Sequence, residues 1–331
     1  MGLGRGNVNF FITMETAIHI KCTQSDLQIT IHISVPENAA NTEPTIEVTD
    51  NIGPVDSIAK STQSPKSGKT QPKRGKWNEQ YNYFPRTKKE LEQIIKNRMD
   101  VEGFECDLND IDVSQISDMS YIFSRSQFNG DISKWDVSNV ENMDYMFRDS
   151  QFNGDISKWN ISKAKNMIGM FWGSQFNGDI SAWNISSVKN MSCMFYESLF
   201  NGNISDWNVS NVEEMDSVFS LSQFNGNISN WDVSNVENME GIFAHSQFNG
   251  DISKWDVSKV ENMSYMFYAS HFNWDISEWN ISSVKNMNFM FYDSQFDKDI
   301  SKWVLHKDVS MIMIFYNSPL EARPKKQPVI L

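Results

Sequence analysis

The sequence predicts an α/β solenoid. One stack of about nine 24-residue repeats runs over residues 104–320, each repeat with a short parallel strand and a short helix. Three observations predict it. Trp recurs every 24 residues from Trp135 to Trp303. Two Phe columns, Phe128 to Phe296 and Phe123 to Phe315, and a Met column, Met119 to Met311, hold the same register. Within each unit the apolar spacing changes from two to three and four.

One unit runs from Phe128 to Phe147 and its fill. Ile132, Trp135 and Val137 come first, and the step from Trp135 to Val137 is the strand period. Ser138 then stands as a helix N-cap, with Glu141 three residues on completing a capping box. Ser210 with Glu213, Ser234 with Glu237 and Ser258 with Glu261 repeat the pair. Lys165, Lys189 and Lys285 replace the acid, so the reciprocal bond is lost there. Val140, Met143, Met146 and Phe147 predict two helical turns. Asn-Gly pairs such as Asn129-Gly130 mark the turn between units.

A unit this short cannot bury its own Trp, two Phe and two Met, so it must stack on the next. Each large apolar side chain buried this way contributes roughly 1.5–3 kcal/mol. The Asn column from Asn129 to Asn273 reads as a side-chain amide ladder that satisfies turn backbone groups. The column from Asp131 to Asp299 exchanges Asp for Asn at Asn203 and Asn227, which suits capping better than calcium.

The flanks are organised around this stack. Residues 1–35 form a small segment of uncertain fold, with alternation at Leu27–Ile33 that suits a hairpin or a partner-binding strand. Residues 36–78 read as a disordered basic linker. Residues 79–103 hold a capping helix that starts at Thr87 and turns Leu91, Ile94 and Ile95 onto the first coil. Phe104 and Ile111 open a worn first coil, and His306 and Pro319 mark a worn last one. Residues 321–331 read as a tail.

Composition narrows the function. The net charge of -13 argues against a general nucleic-acid binder. Residues 53–99 reverse the sign, with eleven Lys/Arg against four acids. Cys22, Cys106 and Cys193 lack metal-ligand or disulfide-framework spacing, which suits a reducing compartment. No stretch is apolar enough to enter a membrane, and no signal peptide is seen, so an intracellular location is favoured. His19, His32, His245, His271 and His306 form no cluster, and there is no phosphate loop or nucleophile–base arrangement. No enzyme activity, no cofactor and no metal are expected.

Surface aromatics are the candidate contacts. Trp172, Tyr196, Tyr268, Tyr292 and Tyr316 share the column after the buried Phe, and Trp274 stands outside the Trp column. Exposed rings of this kind anchor partners. The expectation is an unidentified protein partner, with self-association in a structural assembly, or carbohydrate binding, as alternatives.

The run Trp-Asp-Val-Ser-Asn-Val-Glu-Asn-Met-x-x-Met-Phe from Trp135, nearly repeated from Trp255, resembles a known family. So does the entry around Thr87–Glu90 and Leu108-Asn109-Asp110-Ile111-Asp112-Val113-Ser114. The family is the BspA-like, leucine-rich-repeat-related one, first named as a mycoplasma lipoprotein domain of unknown function. The resemblance covers roughly 80–320 and implies a leucine-rich-repeat-like solenoid. Members occur in bacterial surface proteins, protists and large DNA viruses. Without a lipobox or signal peptide, this chain is closer to a protist or giant-virus member than to an adhesin. The resemblance implies no substrate and no catalytic residues.

Overall fold

In the computed structural model, backbone is described at 12–20, 29–35 and 47–49, and residues 81–331 are described throughout. The chain divides into two units, Met1–Arg74 and Gly75–Leu331. In the first, β1 (Ile12–Ile20), β2 (Ile29–Val35) and β3 (Glu47–Thr49) pair antiparallel in that order. Ile18 stands opposite Ile31, and Ile31 opposite Val48. Thus β3 falls within the stretch read as linker. The rest of that stretch, and Cys22, lie outside the described residues.

The second unit begins with α1 (Lys88–Glu102). Thr87 caps it, its side chain accepting the Glu90 N–H at 3.2 Å. The Glu90 carboxylate reaches back to the Arg86 N–H, one residue earlier than the expected box. Leu91 and Ile95 are buried in the core that continues through Leu108 and Ile111. Arg98 pins the helix to the first coil, donating to Asp110 at 2.7 Å and to the Asp107 carbonyl at 2.8 Å.

Successive 24-residue coils then stack in parallel. Each meets the next at a bridge between equivalent residues, Asp118 to Asn142, Asn142 to Asn166 and onward to Ser310. All four apolar columns enter one continuous core. Their rings lie nearly parallel, with Phe147 5.6 Å from Phe171 and Trp207 6.5 Å from Trp231.

The helix expected in each repeat is replaced by a train of turns. The N–H groups of Met143, Tyr145, Phe147 and Asp149 donate to the next coil, at the carbonyls of Asn166, Ile168, Met170 and Trp172. Those of Met146, Arg148 and Ser150 donate within the coil, three residues back. Alternate donors are therefore spent between coils, and no 4-residue helical ladder can form. Tyr145 (φ 55°) and Asp149 (φ 52°) are left-handed, and both columns keep that conformation coil after coil. The chain turns inward at Met143, again at Met146 and Phe147, and again at Ser150, which mimics helical spacing.

The expected strand through Trp135 and Val137 is likewise a pair of turns. Trp135 N–H bonds the Ile132 carbonyl, and Val140 N–H bonds that of Val137. Ser138 does not cap a helix. Its N–H donates to the Asp136 carboxylate at 3.1 Å, and Ser162, Ser186 and Ser210 repeat this with Asn160, Asn184 and Asn208. Glu141 is also no cap. It pairs across coils with Lys165 at 2.8 Å, as Lys189 does with Glu213 and Lys285 with Glu261.

Side-chain ladders finish the stack. Each Asn Oδ1 accepts the backbone N–H of the next Asn, as Asn201 does from Asn225 at 2.9 Å. The Asp/Asn column from Asp131 accepts the N–H two residues on, whether charged (Asp155, 2.9 Å) or neutral (Asn203, 3.1 Å). A neutral oxygen does this as well as a charged one, which is why the two alternate. Each indole N–H donates to a buried carbonyl of the preceding coil, Trp207 to Ile180 at 3.1 Å. At the end, β4 (Val304–Leu305) pairs parallel with β5 (Val329–Ile330), so the tail adds a final rung.

Candidate functional site

The turn train sets two side chains into the core and two on its far side in alternation. On the far side Tyr145, Arg148, Cys193 and Ser217 are buried against one another's coils and outside the core cluster. The far-side columns begin at Asp144, Tyr145, Arg148 and Asp149 and share one face. Tyr145 packs on Trp172 with centroids 6.3 Å apart, and His245 meets Tyr268 edge-on at 5.0 Å. A side chain added to Gly241 would meet Ser217, Ala244 and Tyr265 together.

This face differs from the rest of the coil in what it tolerates. Where side chains bond the backbone, residue type is held: the positions of Ser133 and Asp131 carry only Ser and only Asp or Asn in every coil from Phe128 to Trp303. The exposed position of Lys134 varies, but never to an aromatic residue. The Tyr145 column, by contrast, runs Tyr, Gly, Cys, Ser, Gly, Tyr, Phe, Met. The Arg148 column runs Arg, Trp, Tyr, Ser, Ala, Tyr, Tyr, Tyr. Backbone-to-backbone rungs hold the coil there, so its side chains are free to differ.

Of the six contacts expected from the sequence, Trp172, Tyr196, Tyr268, Tyr292 and Tyr316 lie on this face. Trp172 and Tyr196 are 4.7 Å apart, and Tyr268, Tyr292 and Tyr316 stack at 5.0 Å steps. Trp274 does not join them. It stands in the Gly250 column, 44% exposed, with its indole on the Asn249 carbonyl at 2.6 Å. Sequence reasoning missed Tyr121, Tyr145, Tyr265 and Phe289, which flank the stripe. Tyr121 stacks on Tyr145, and Tyr265 on Phe289, each at 4.9 Å. Their shared 24-residue step was the available signal.

The electrostatics change along the face. Near its start, the Arg148 guanidinium lies 4.6 Å from the Trp172 centroid and 3.3 Å from Asp149. Lys88, reaching over from α1, sits 5.8 Å from the Tyr121 ring and 3.6 Å from Asp118. From Asn190 to Asn317 these columns hold no Lys or Arg. They hold Glu197, Asp216, Glu240 and Asp293, with Glu214 in the adjoining bridge column, and none of these makes an ion pair among the described residues. Neutral groups hold two of them: Ser192 Oγ donates to Asp216, and Asn262 Nδ2 to Glu240 at 2.8 Å. Burial pushes the carboxyls of Asp216, Glu240 and Glu214 above their ordinary range. Burial likewise raises Asp144 to about 6.

Among the described residues no His, Cys, Asp and Glu are grouped to hold a metal. No described helix is long and apolar enough to cross a membrane. No curated protein and no solved structure matches the chain significantly. The profile of one family, described as "Mycoplasma protein of unknown function, DUF285", matches three times, at 89–199, 173–271 and 221–324. Those overlapping matches run from α1 to the last coil and span more than half of the chain, which therefore belongs to this family.

Proposed function

We propose that the stack is a BspA-like, leucine-rich-repeat-related solenoid and that it works as a protein-recognition module, not as an enzyme. The observation that carries this reading is the concentration of repeat-to-repeat variation, with its rings, on the turn-train face. A scaffold that fixes its core and ladders while gathering varied rings on one face resembles other repeat binders, whose stacked units build an extended contact surface. Half-buried Tyr and Trp supply large apolar area at low entropic cost, with a polar edge for hydrogen bonding.

A photo-crosslinking residue placed in the full chain at Tyr292 or Tyr268 tests this in source cells. A control position is Lys158, on the corner before Trp159. The reading expects a discrete protein adduct from the two face positions and none from Lys158. Equal labelling from all three, or none from any, refutes it.

A further inference from the structure

We propose that the part of this face from Tyr196 to Tyr316 docks a basic segment of the partner, one that presents Lys or Arg side chains along the exposed edges of the rings. The proposal rests on the recognition reading above and names its partner chemistry.

The first coils of this same chain show the arrangement with its cation in place. Arg148 lies over Trp172 with Asp149 beside it. Lys88, delivered by a different element, sits over Tyr121 with Asp118 beside it. In both, a ring face takes the cation while a carboxylate neutralises it. Further along, the ring-and-carboxylate pairing recurs without the cation. Glu240 and Tyr265 stand in adjacent columns of successive coils, and Asp293 directly follows Tyr292, whose ring stacks on Tyr268.

Off this face several carboxylates have their cation, although others, such as Glu237, have none among the described residues. On the outer column Glu141, Glu213 and Glu261 each have a lysine from a neighbouring coil, and Glu278 has Lys302. Glu197, Glu214, Asp216, Glu240 and Asp293 are left with neutral partners or solvent. Glu214, Asp216 and Glu240 are half-buried, where a carboxylate without a cation is costly and an arriving ammonium or guanidinium relieves that cost, while Glu197 and Asp293 are exposed and add charge beside them. The aliphatic stems of Lys and Arg suit the exposed edges of these stacked rings. A basic segment therefore gains both from charge and from apolar contact here, whereas an acidic or purely apolar one would leave the carboxylates uncompensated.

The test uses the full chain and a fluorescein-labelled peptide of alternating Lys and Ala, with a Glu–Ala peptide as counterpart, read by fluorescence anisotropy. Two triple variants remove equal charge. Glu197→Gln/Glu240→Gln/Asp293→Asn removes three carboxylates from the face, and Glu141→Gln/Glu213→Gln/Glu261→Gln removes three from the outer column. The thermal midpoint of each is measured by circular dichroism. Tyr268→Leu/Tyr292→Leu, which leaves all charge in place, is the second route to the same question.

The expected result is binding of the Lys peptide only, weakened roughly tenfold or more by the face triple and less than about twofold by the outer triple. The Tyr pair should also weaken it. Equal weakening by both triples would show a general attraction to an acidic protein and overturn the proposal, as would no binding. If the Lys peptide fails while crosslinks still map to Tyr292 and Tyr268, this inference falls and the recognition reading stands.

Discussion

Replacing Trp207 by Phe removes the hydrogen bond that ties each coil to the one before it while keeping an aromatic ring in place. Trp207 is 3% exposed, and its indole donates to the Ile180 carbonyl at 3.1 Å. That carbonyl also accepts the Trp183 N–H at 3.1 Å, so it keeps one partner when the indole is lost. The hydrogen-bond loss is therefore near the ordinary net value of about 0.5–1.5 kcal/mol, below the penalty for a fully orphaned group. Phe keeps a ring between Phe195, 6.2 Å away, and Trp231, 6.5 Å away. The smaller ring leaves about 40 Å³ unfilled, which adds about 1 kcal/mol. The sum is about 1.5–2.5 kcal/mol, measurable by urea unfolding followed by circular dichroism. Trp207→Leu gives up the ring stacking too and should cost more. A loss below about 0.5 kcal/mol for the Phe variant would refute the indole bond as a tie between coils.

Three further outcomes follow from the same geometry. Asn201→Ala removes an acceptor of the Asn225 N–H and should cost about 0.5–1.5 kcal/mol, while Asn201→Asp keeps an oxygen there and should cost less in the same denaturation assay. Gly169→Ala and Gly241→Ala both place Ala at a left-handed φ, 54° and 58°, but the first drives its methyl to 2.5 Å from the Tyr145 ring and the second only to 3.2 Å from the Ser217 hydroxyl. Gly169→Ala should thus be the more destabilising by about 1 kcal/mol or more, and thermal midpoints check the order. Asp144 carries a carboxyl raised by burial from 3.8 to about 6, so its protonated form favours the folded state and its contribution is full below about pH 4 and lost as pH rises through 6. Asp144→Asn can still accept the Ile168 N–H, and should be more stable than the parent by about 1–3 kcal/mol at pH 7.5, with the gap closing near pH 4. A gap that does not change with pH would show that burial does not oppose the charge.

How far the sequence reaches is best seen in single columns. The Trp, Phe and Met columns were legible because burying them needs only a repeat and an inside. The Asn ladder was legible because a short amide at a tight turn has few other partners. Val140, Met143, Met146 and Phe147 misled because two tight turns and a helix return side chains to the core at nearly the same intervals. Only the left-handed Tyr145 separates them, and a tyrosine gives no local sign of that conformation, which glycine normally marks. Ser138 and Glu141 misled for a related reason: a capping box needs a helix, and once the backbone donors go to the next coil both side chains are released to other partners. The stripe of Tyr268, Tyr292 and Tyr316 was legible from its step of 24, but its flanking rings and unpaired carboxylates depend on which columns the turns bring together.

The indole bond has a consequence for how such a chain changes length. Each Trp reaches only the coil before its own, and the acceptor is always the carbonyl at the same place in the unit. Excising 24 residues would bring Trp231 to Ile180 in place of Ile204, with the same atoms meeting. Register is thus preserved under gain or loss of a whole unit and destroyed by any other number. A gene for this protein could lengthen by copying itself in place, each copy arriving ready to dock. The span of the face, and with it the size of what it can hold, would then be set by counting.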